Sequence, residues 1–205
     1  MKRKSIITPV GTAVWPKLNE PDTRYSTEGQ FSVTLRLGGE DAVALMKDID
    51  AFYAVGYEWH CQDQGKNTIK KCSSMPYEAV ESDTGEKTGE VNFKFKLKHR
   101  VETRRGDTFI QTVALFDGEG TPMKEVVGGG SLIRVRGQMN PWFTASLGFG
   151  ISLWVNAVQV KELAEASGGT TAESFGFSAL EGGYATPDEM VQPNPLTEAS
   201  SDGDF

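Results

Sequence analysis

The sequence is poor in cysteine, in histidine and, over its final stretch, in positive charge. Two cysteines, Cys61 and Cys72, are too few for a disulfide framework, and a reduced cytoplasmic setting fits them best. No apolar run approaches the ~18 residues of a transmembrane helix. The start, Met1-Lys-Arg-Lys-Ser-Ile-Ile-Thr-Pro9, is basic but lacks the apolar stretch of a signal peptide. No Lys or Arg follows Lys161. All 21 Lys and Arg lie in residues 1–161 beside 19 of the 28 acids, a net +2; residues 162–205 carry the other 9 acids, a net −9, and the sum is −7. A mildly basic body with an acidic tail points to a tail that imitates a polyanion. Such a tail either screens a cationic groove or reaches a basic partner.

Signatures of catalysis are missing too. Gly128-Gly-Gly130 lacks the Lys-Ser/Thr of a phosphate loop, and no Gly-x-Ser-x-Gly elbow occurs. His60, Cys61, Cys72 and His99 have no paired Cys-x-x-Cys, so their spacing is poor for zinc. Asp117, Glu119 and Glu125 fall in a Gly- and Pro-containing loop, where solvation explains them as well as metal-dependent hydrolysis does. The expectation is a binding protein that is not an enzyme and needs no cofactor or metal.

What is present is alternation. In residues 29–37, Phe31, Val33, Leu35 and Leu37 share one face and Ser32, Thr34 and Arg36 the other. Ile6 to Trp15 reads as an earlier strand, with Pro9 placing part of it at an edge. Residues 40–54 change to helical period through Ala42, Leu45, Met46, Ile49 and Phe52/Tyr53, with Gly56 as the stop. Residues 56–89 read as an irregular excursion with room for short strands. Residues 90–101 and 108–116 form a hairpin around Arg104-Arg-Gly-Asp107. Residues 131–139 alternate again. The last strand, from about Leu147 to Val160, changes parity near Asn156-Ala157, which predicts a bulge. Beyond residue 166 the composition becomes Gly, Ser, Thr, acid and Pro, a segment too polar to offset its ordering entropy. The fold class is therefore mainly β: an OB-fold-like closed barrel over residues 1–165, one amphipathic helix, and a flexible, disordered acidic tail over 166–205.

The sharpest constellation is Asn92-Phe-Lys-Phe-Lys-Leu-Lys-His-Arg100. In a strand Phe93, Phe95, Leu97 and Val101 face one way, and Lys94, Lys96, Lys98 and Arg100 the other. Like-facing residues are about 6.6 Å apart, close to the phosphate spacing of an extended single strand. Arg104 and Arg105 at the hairpin tip prolong this ladder, and Arg36, Arg134 and Arg136 repeat it on other strands. One such face is as readily a solvated surface; three together favour a polyanion groove. Flat platforms for bases are the second requirement. Candidates are Trp15, Tyr57, Trp59, Tyr77, Trp142 and Phe143, any one of which is more commonly a packing residue. Trp59, Tyr77 and Trp142 rank first because they read as loop residues.

The ending Asp202-Gly-Asp-Phe205, the core Phe93-Lys-Phe-Lys96, the turn Gly128-Gly-Gly-Ser131 and the closing strand Gly150–Val160 resemble the single-stranded DNA-binding proteins of tailed bacteriophages. That family has an OB-fold and an acidic C-terminal tail ending in Phe. The resemblance implies a protein of phage DNA replication and recombination in the host cytoplasm. It would coat single-stranded DNA and contact the phage DNA polymerase and helicase-primase through its tail; a homodimer is compatible with it. Asp202, Asp204 and Phe205 carry the implied partner contact. This tail is less densely acidic than the family's usual one, and residues 56–89 align poorly.

Three rivals remain at this level. A strand-annealing recombination mediator would use the same groove and is separated by an annealing assay. A phage structural or decoration protein would be present in purified virions. A metal-dependent nuclease would degrade DNA once magnesium is added.

Overall fold

The computed structural model describes residues 1–164 apart from 25, 26, 83 and 104. The acidic tail, with Asp202, Asp204 and Phe205, and the hairpin-tip Arg104 lie outside the described residues.

Among the described residues ten strands and one helix follow in the order β1 (Lys4–Ile7), β2 (Gly11–Asp22), β3 (Gln30–Gly38), α1 (Gly39–Asp63), β4 (Tyr77–Glu81), β5 (Lys87–Lys98), β6 (Arg100–Glu102), β7 (Thr108–Ile110), β8 (Ala114–Phe116), β9 (Leu132–Thr144) and β10 (Gly148–Glu162). Strand β2 pairs with β3, β3 with β5, β5 with β10, β10 with β9, and β9 with β2. That circuit returns to its start, so five strands close on themselves. The β5–β10 pair is parallel and the other four are antiparallel. This mixed five-strand closure is the OB-fold expected from the sequence. Strand β1 extends the sheet by pairing with β9, β4 by pairing with β5, and β8 by pairing in parallel with β10.

Alternation fills the interior. Phe31, Val33, Leu35 and Leu37 of β3 and Phe93, Phe95 and Leu97 of β5 are all buried, as are Ile133 and Val135 of β9 and Leu153 and Val155 of β10. The register of β9 against β10 shifts between Val155 and Ala157, the predicted bulge. It lets Val158 and Val160 regain the core after the parity change.

The helix runs nine residues beyond its expected end near 54, to Asp63. Its buried stripe, Ala42, Leu45, Ile49, Phe52 and Gly56, keeps helical spacing through the residue read as a stop. A helical Gly ordinarily costs about 1 kcal/mol against Ala. Here a Cβ at Gly56 would stand 2.8 Å from Phe149 Cζ and 3.0 Å from Met1 Sδ. Close packing on Phe149 requires the missing side chain, so the glycine serves contact rather than termination. The rings of Tyr53, Tyr57 and His60 surround Phe149 at 5.0, 6.0 and 5.1 Å. Burial pushes the Tyr53 phenol up and the His60 imidazole down from their ordinary values.

Two other expectations change. The region 108–116 divides: β7 pairs with β6 as a separate two-stranded hairpin, and β8 turns away to β10. The hairpin tip is as predicted, with Thr103 N–H donating to Asp107 O at 2.8 Å and Gly106 at a positive φ of 86°. Parity also does not continue past His99. The backbone bends there, and the ring packs edge-on against Phe31 at 5.5 Å.

Candidate nucleic-acid interface

A cleft of about 590 Å³ opens on the outer face of β5 and β10. One wall is the lysine ladder, Lys94, Lys96 and Lys98, whose neighbours Phe93, Phe95 and Leu97 are held in the core. The burial of those three side chains is what turns the three ammonium groups outward. Trp142 of β9 and Trp154 of β10 line the same cleft. Phe109 and Val101, from the β6–β7 hairpin, and Met75 add apolar surface, and Arg3 and Gln30 add polar groups.

Register ties these groups together. Ser32 of β3 is opposite Lys96 of β5, Lys96 is beside Trp154 of β10, and Trp154 is opposite Gln138 of β9. A cation and an indole are thus placed side by side on adjacent strands. Trp142 is opposite Gly150, whose absent Cβ leaves room for the indole; a methyl there would collide with Cζ2 of the ring.

The cations differ in their surroundings. Lys94 Nζ bonds Glu78 Oε2 of β4 at 2.7 Å, and Lys98 Nζ bonds Glu28 Oε2 at 3.1 Å. Lys96, between them, is in no ion pair among the described residues. Arg36 shares the outer face of β3 with Thr34, but its guanidinium is held by Asn92 Oδ1 at 3.1 Å and Glu90 at 3.9 Å, outside the cleft.

The sequence-derived list divides on this geometry. Lys94, Lys96, Lys98 and Trp142 come together in the cleft. Arg100 and Arg105 are exposed on the β6–β7 hairpin and do not line it, because the bend at His99 turns Val101 rather than Arg100 inward. Arg134 and Arg136 are exposed nearer the start of β9, Arg134 donating to Gln159 Oε1 at 2.8 Å, and they too lie outside the cleft.

The three favoured platforms read as loop residues in the sequence, and none is in a loop. Trp59 lies on α1, 42% exposed, edge-on to His60 and away from the cleft. Tyr77 begins β4 opposite Phe93, its ring 5.9 Å from that ring and its hydroxyl donating to Asp50 Oδ1 of α1 at 2.8 Å. It therefore packs on the core side of the sheet, and burial followed by the Asp50 hydrogen bond pushes its pKa up to about 12. Trp142 is inside β9 rather than at a turn, yet it does line the cleft.

Sequence reasoning missed Arg3, Phe109 and Trp154. Trp154 carried a usable signal, since it alternates with Leu153 and Val155 on the polar parity of β10, where an indole is out of place. Arg3 and Phe109 reach the cleft only through tertiary structure.

No protein-family model and no curated relative matches the sequence. Solved structures do match, and the fold is one found in single-stranded DNA-binding proteins of bacteriophages. The crystal structure of gp2.5, a single-stranded DNA-binding protein encoded by bacteriophage T7, aligns with a TM-score of 0.68 at 21% identity, over 91% of this chain and 100% of that one. The single-stranded DNA-binding protein of bacteriophage Enc34 aligns with a TM-score of 0.56 at 15% identity, over 83% and 89% of the two chains. The same Enc34 protein in complex with single-stranded DNA gives 0.56 at 16%, over 80% and 89%.

Proposed function

We propose that this protein binds single-stranded DNA in the β5–β10 cleft, without strong sequence preference and without catalysis, as an accessory of phage DNA replication and recombination. The observation that carries the reading is the convergence of Lys94, Lys96 and Lys98 with Trp142 and Trp154 on one concave surface. Cations at strand spacing track a phosphate backbone, and indoles accept any base, since every base has a π-face. A duplex hides those faces, so the same surface discriminates against it. The likeness in fold to proteins whose structures are named as single-stranded DNA-binding, one of them in complex with it, supports the same ligand.

The rest of the reading concerns residues 166–205. The acidic tail competes with DNA for the cations and, through Asp202, Asp204 and Phe205, recruits phage DNA polymerase and helicase-primase in the host cytoplasm. A homodimer is compatible with this role. The test of the core reading is a titration with a dT oligomer and a matched duplex at two salt concentrations. Tighter binding to dT, with log K falling against log salt by about 0.7 per phosphate contacted, is expected. Equal affinity for duplex, or affinity indifferent to salt, would overturn it.

A further inference from the structure

Ala13 and Leu18 of β2 face the core, 1% and 2% exposed. Strict alternation from Ala13 would bury Trp15 as well. Instead its side chain is 85% exposed, and Trp15 is the one non-glycine residue with positive φ, 50°, among the described residues. The cause is a bulge. From Val14 to Lys17 strand β2 advances three residues, while its partner β3 advances two, from Thr34 to Ser32. The left-handed slot of such a bulge suits glycine, and an L residue there is strained. An indole in that slot is unfavourable twice over, in backbone conformation and in apolar surface left in water.

The bulge delivers the ring to a particular place. Val14 is opposite Thr34, which is opposite Lys94; Lys17 is opposite Ser32, which is opposite Lys96. Trp15 therefore stands on β2, two strand spacings or about 10 Å from the lysine ladder. Lys17 is exposed beside it, on the same sheet surface as the ladder. A single OB-fold holds about 4–16 nucleotides, so one strand can occupy the cleft and reach β2.

We propose that Trp15 is a second stacking platform for the bases of bound single-stranded DNA, outside the cleft, with Lys17 beside it to neutralise a flanking phosphate. The proposal rests on the single-strand reading of the cleft and lengthens the bound path across β3.

The strain gives the test its sign. Wild type, Trp15→Gly and Trp15→Phe are titrated with a dT oligomer of about 16 nucleotides and melted thermally. Glycine relieves the positive φ, so Trp15→Gly is expected to melt at the same or a higher temperature while binding dT about 5- to 150-fold more weakly. Trp15→Phe retains a flat ring and most of the affinity, while the tryptophan quenching on binding shrinks. A Trp15→Gly variant that binds dT as wild type does would overturn the proposal, as would one that loses its fold, which would make Trp15 a packing residue. Wild type that fails to bind dT would overturn the cleft reading itself, an outcome distinct from wild type that binds and a variant that binds equally.

Discussion

The Arg3 guanidinium lies over the Trp154 ring, 4.2 Å from its centroid, while its Nε donates to Asn140 Oδ1 at 3.0 Å. The segment before β1 thus covers one face of the indole, and Asn140 fixes the guanidinium in place. A cation held on a ring in this way contributes on the order of 0.5–1 kcal/mol at an exposed site. Under the proposed function it would also meet a phosphate next to the base that takes the ring. Trp154→Ala is therefore expected to weaken dT binding by about 1–3 kcal/mol with the fold retained. Arg3→Ala should weaken it less and flatten the salt dependence. Isothermal titrations of the two variants at two salt concentrations check both.

Lys96 is the ladder cation without an ion pair among the described residues, flanked by two that are paired. Lys96→Gln is expected to weaken binding evenly across dT, dC and mixed oligomers and to reduce the salt slope by about 0.7. A loss confined to one sequence would instead mark Lys96 as a base contact.

Glu78 occupies the position on Lys94 that a phosphate would take, at 2.7 Å. DNA bound in the cleft as proposed would have to displace it. An exposed pair of this kind contributes about 0.2–1 kcal/mol, so Glu78→Gln should tighten dT binding by up to roughly fivefold. The gain should fade at high salt, where the competing charge is screened.

Tyr77 predicts an effect on stability alone. Tyr77→Phe removes the hydrogen bond to Asp50 and is expected to cost about 0.5–1.5 kcal/mol, with dT affinity unchanged. The pH dependence has a definite sign. The folded pKa is raised from 10.0 to about 12, so the neutral phenol is the form the fold favours. Its contribution is complete below pH 10 and is lost as pH rises towards 12. Denaturant melts of wild type and variant at pH 8 and above pH 11 should show the difference between them shrinking.

The tail prediction follows from charge. Residues 162–205 contain nine acids; setting aside Glu162 and Glu165, deletion of 166–205 removes seven. If these compete with DNA at the millimolar effective concentration of a flexible tether, the deletion should tighten dT binding, most at low salt. Phe205→Ala changes no charge and should leave dT affinity as it was while weakening polymerase binding. An affinity unaltered by the deletion at low salt would reduce the tail to a solubilising segment.

The barrel was legible because its strands alternate so strictly. Phe31 to Leu37 and Phe93 to Leu97 allow one assignment of inside and outside, and the β10 bulge announced itself as a change of parity at Asn156-Ala157. The lysine wall of the cleft came from the same signal. Its aromatic wall was harder to see. Local sequence cannot tell a Gly that ends a helix from one that lets it touch Phe149, so Trp59 reads as a loop residue although α1 carries it, and Tyr77 opens a five-residue strand too short to leave a periodic signal. Arg3 arrives from 151 positions away in the chain (154 minus 3), and Phe109 from a hairpin whose direction depends on the bend at His99. Neither approach leaves a periodic trace.

Closure of the barrel has a consequence for when the molecule becomes competent. Its last strand, β10, supplies Trp154 and the Gly150 surface on which Trp142 rests, and it joins β5 to β9. Until Gly148–Glu162 has left the ribosome, the lysine ladder has no Trp154 beside it and Trp142 has no Gly150 to rest on. The joining contacts span long stretches of chain, which places folding among the slower, millisecond-to-second class of small domains. Nascent chains would thus pass through synthesis with a cationic strand and no groove, and acquire their grip only after nearly all of the barrel has been made.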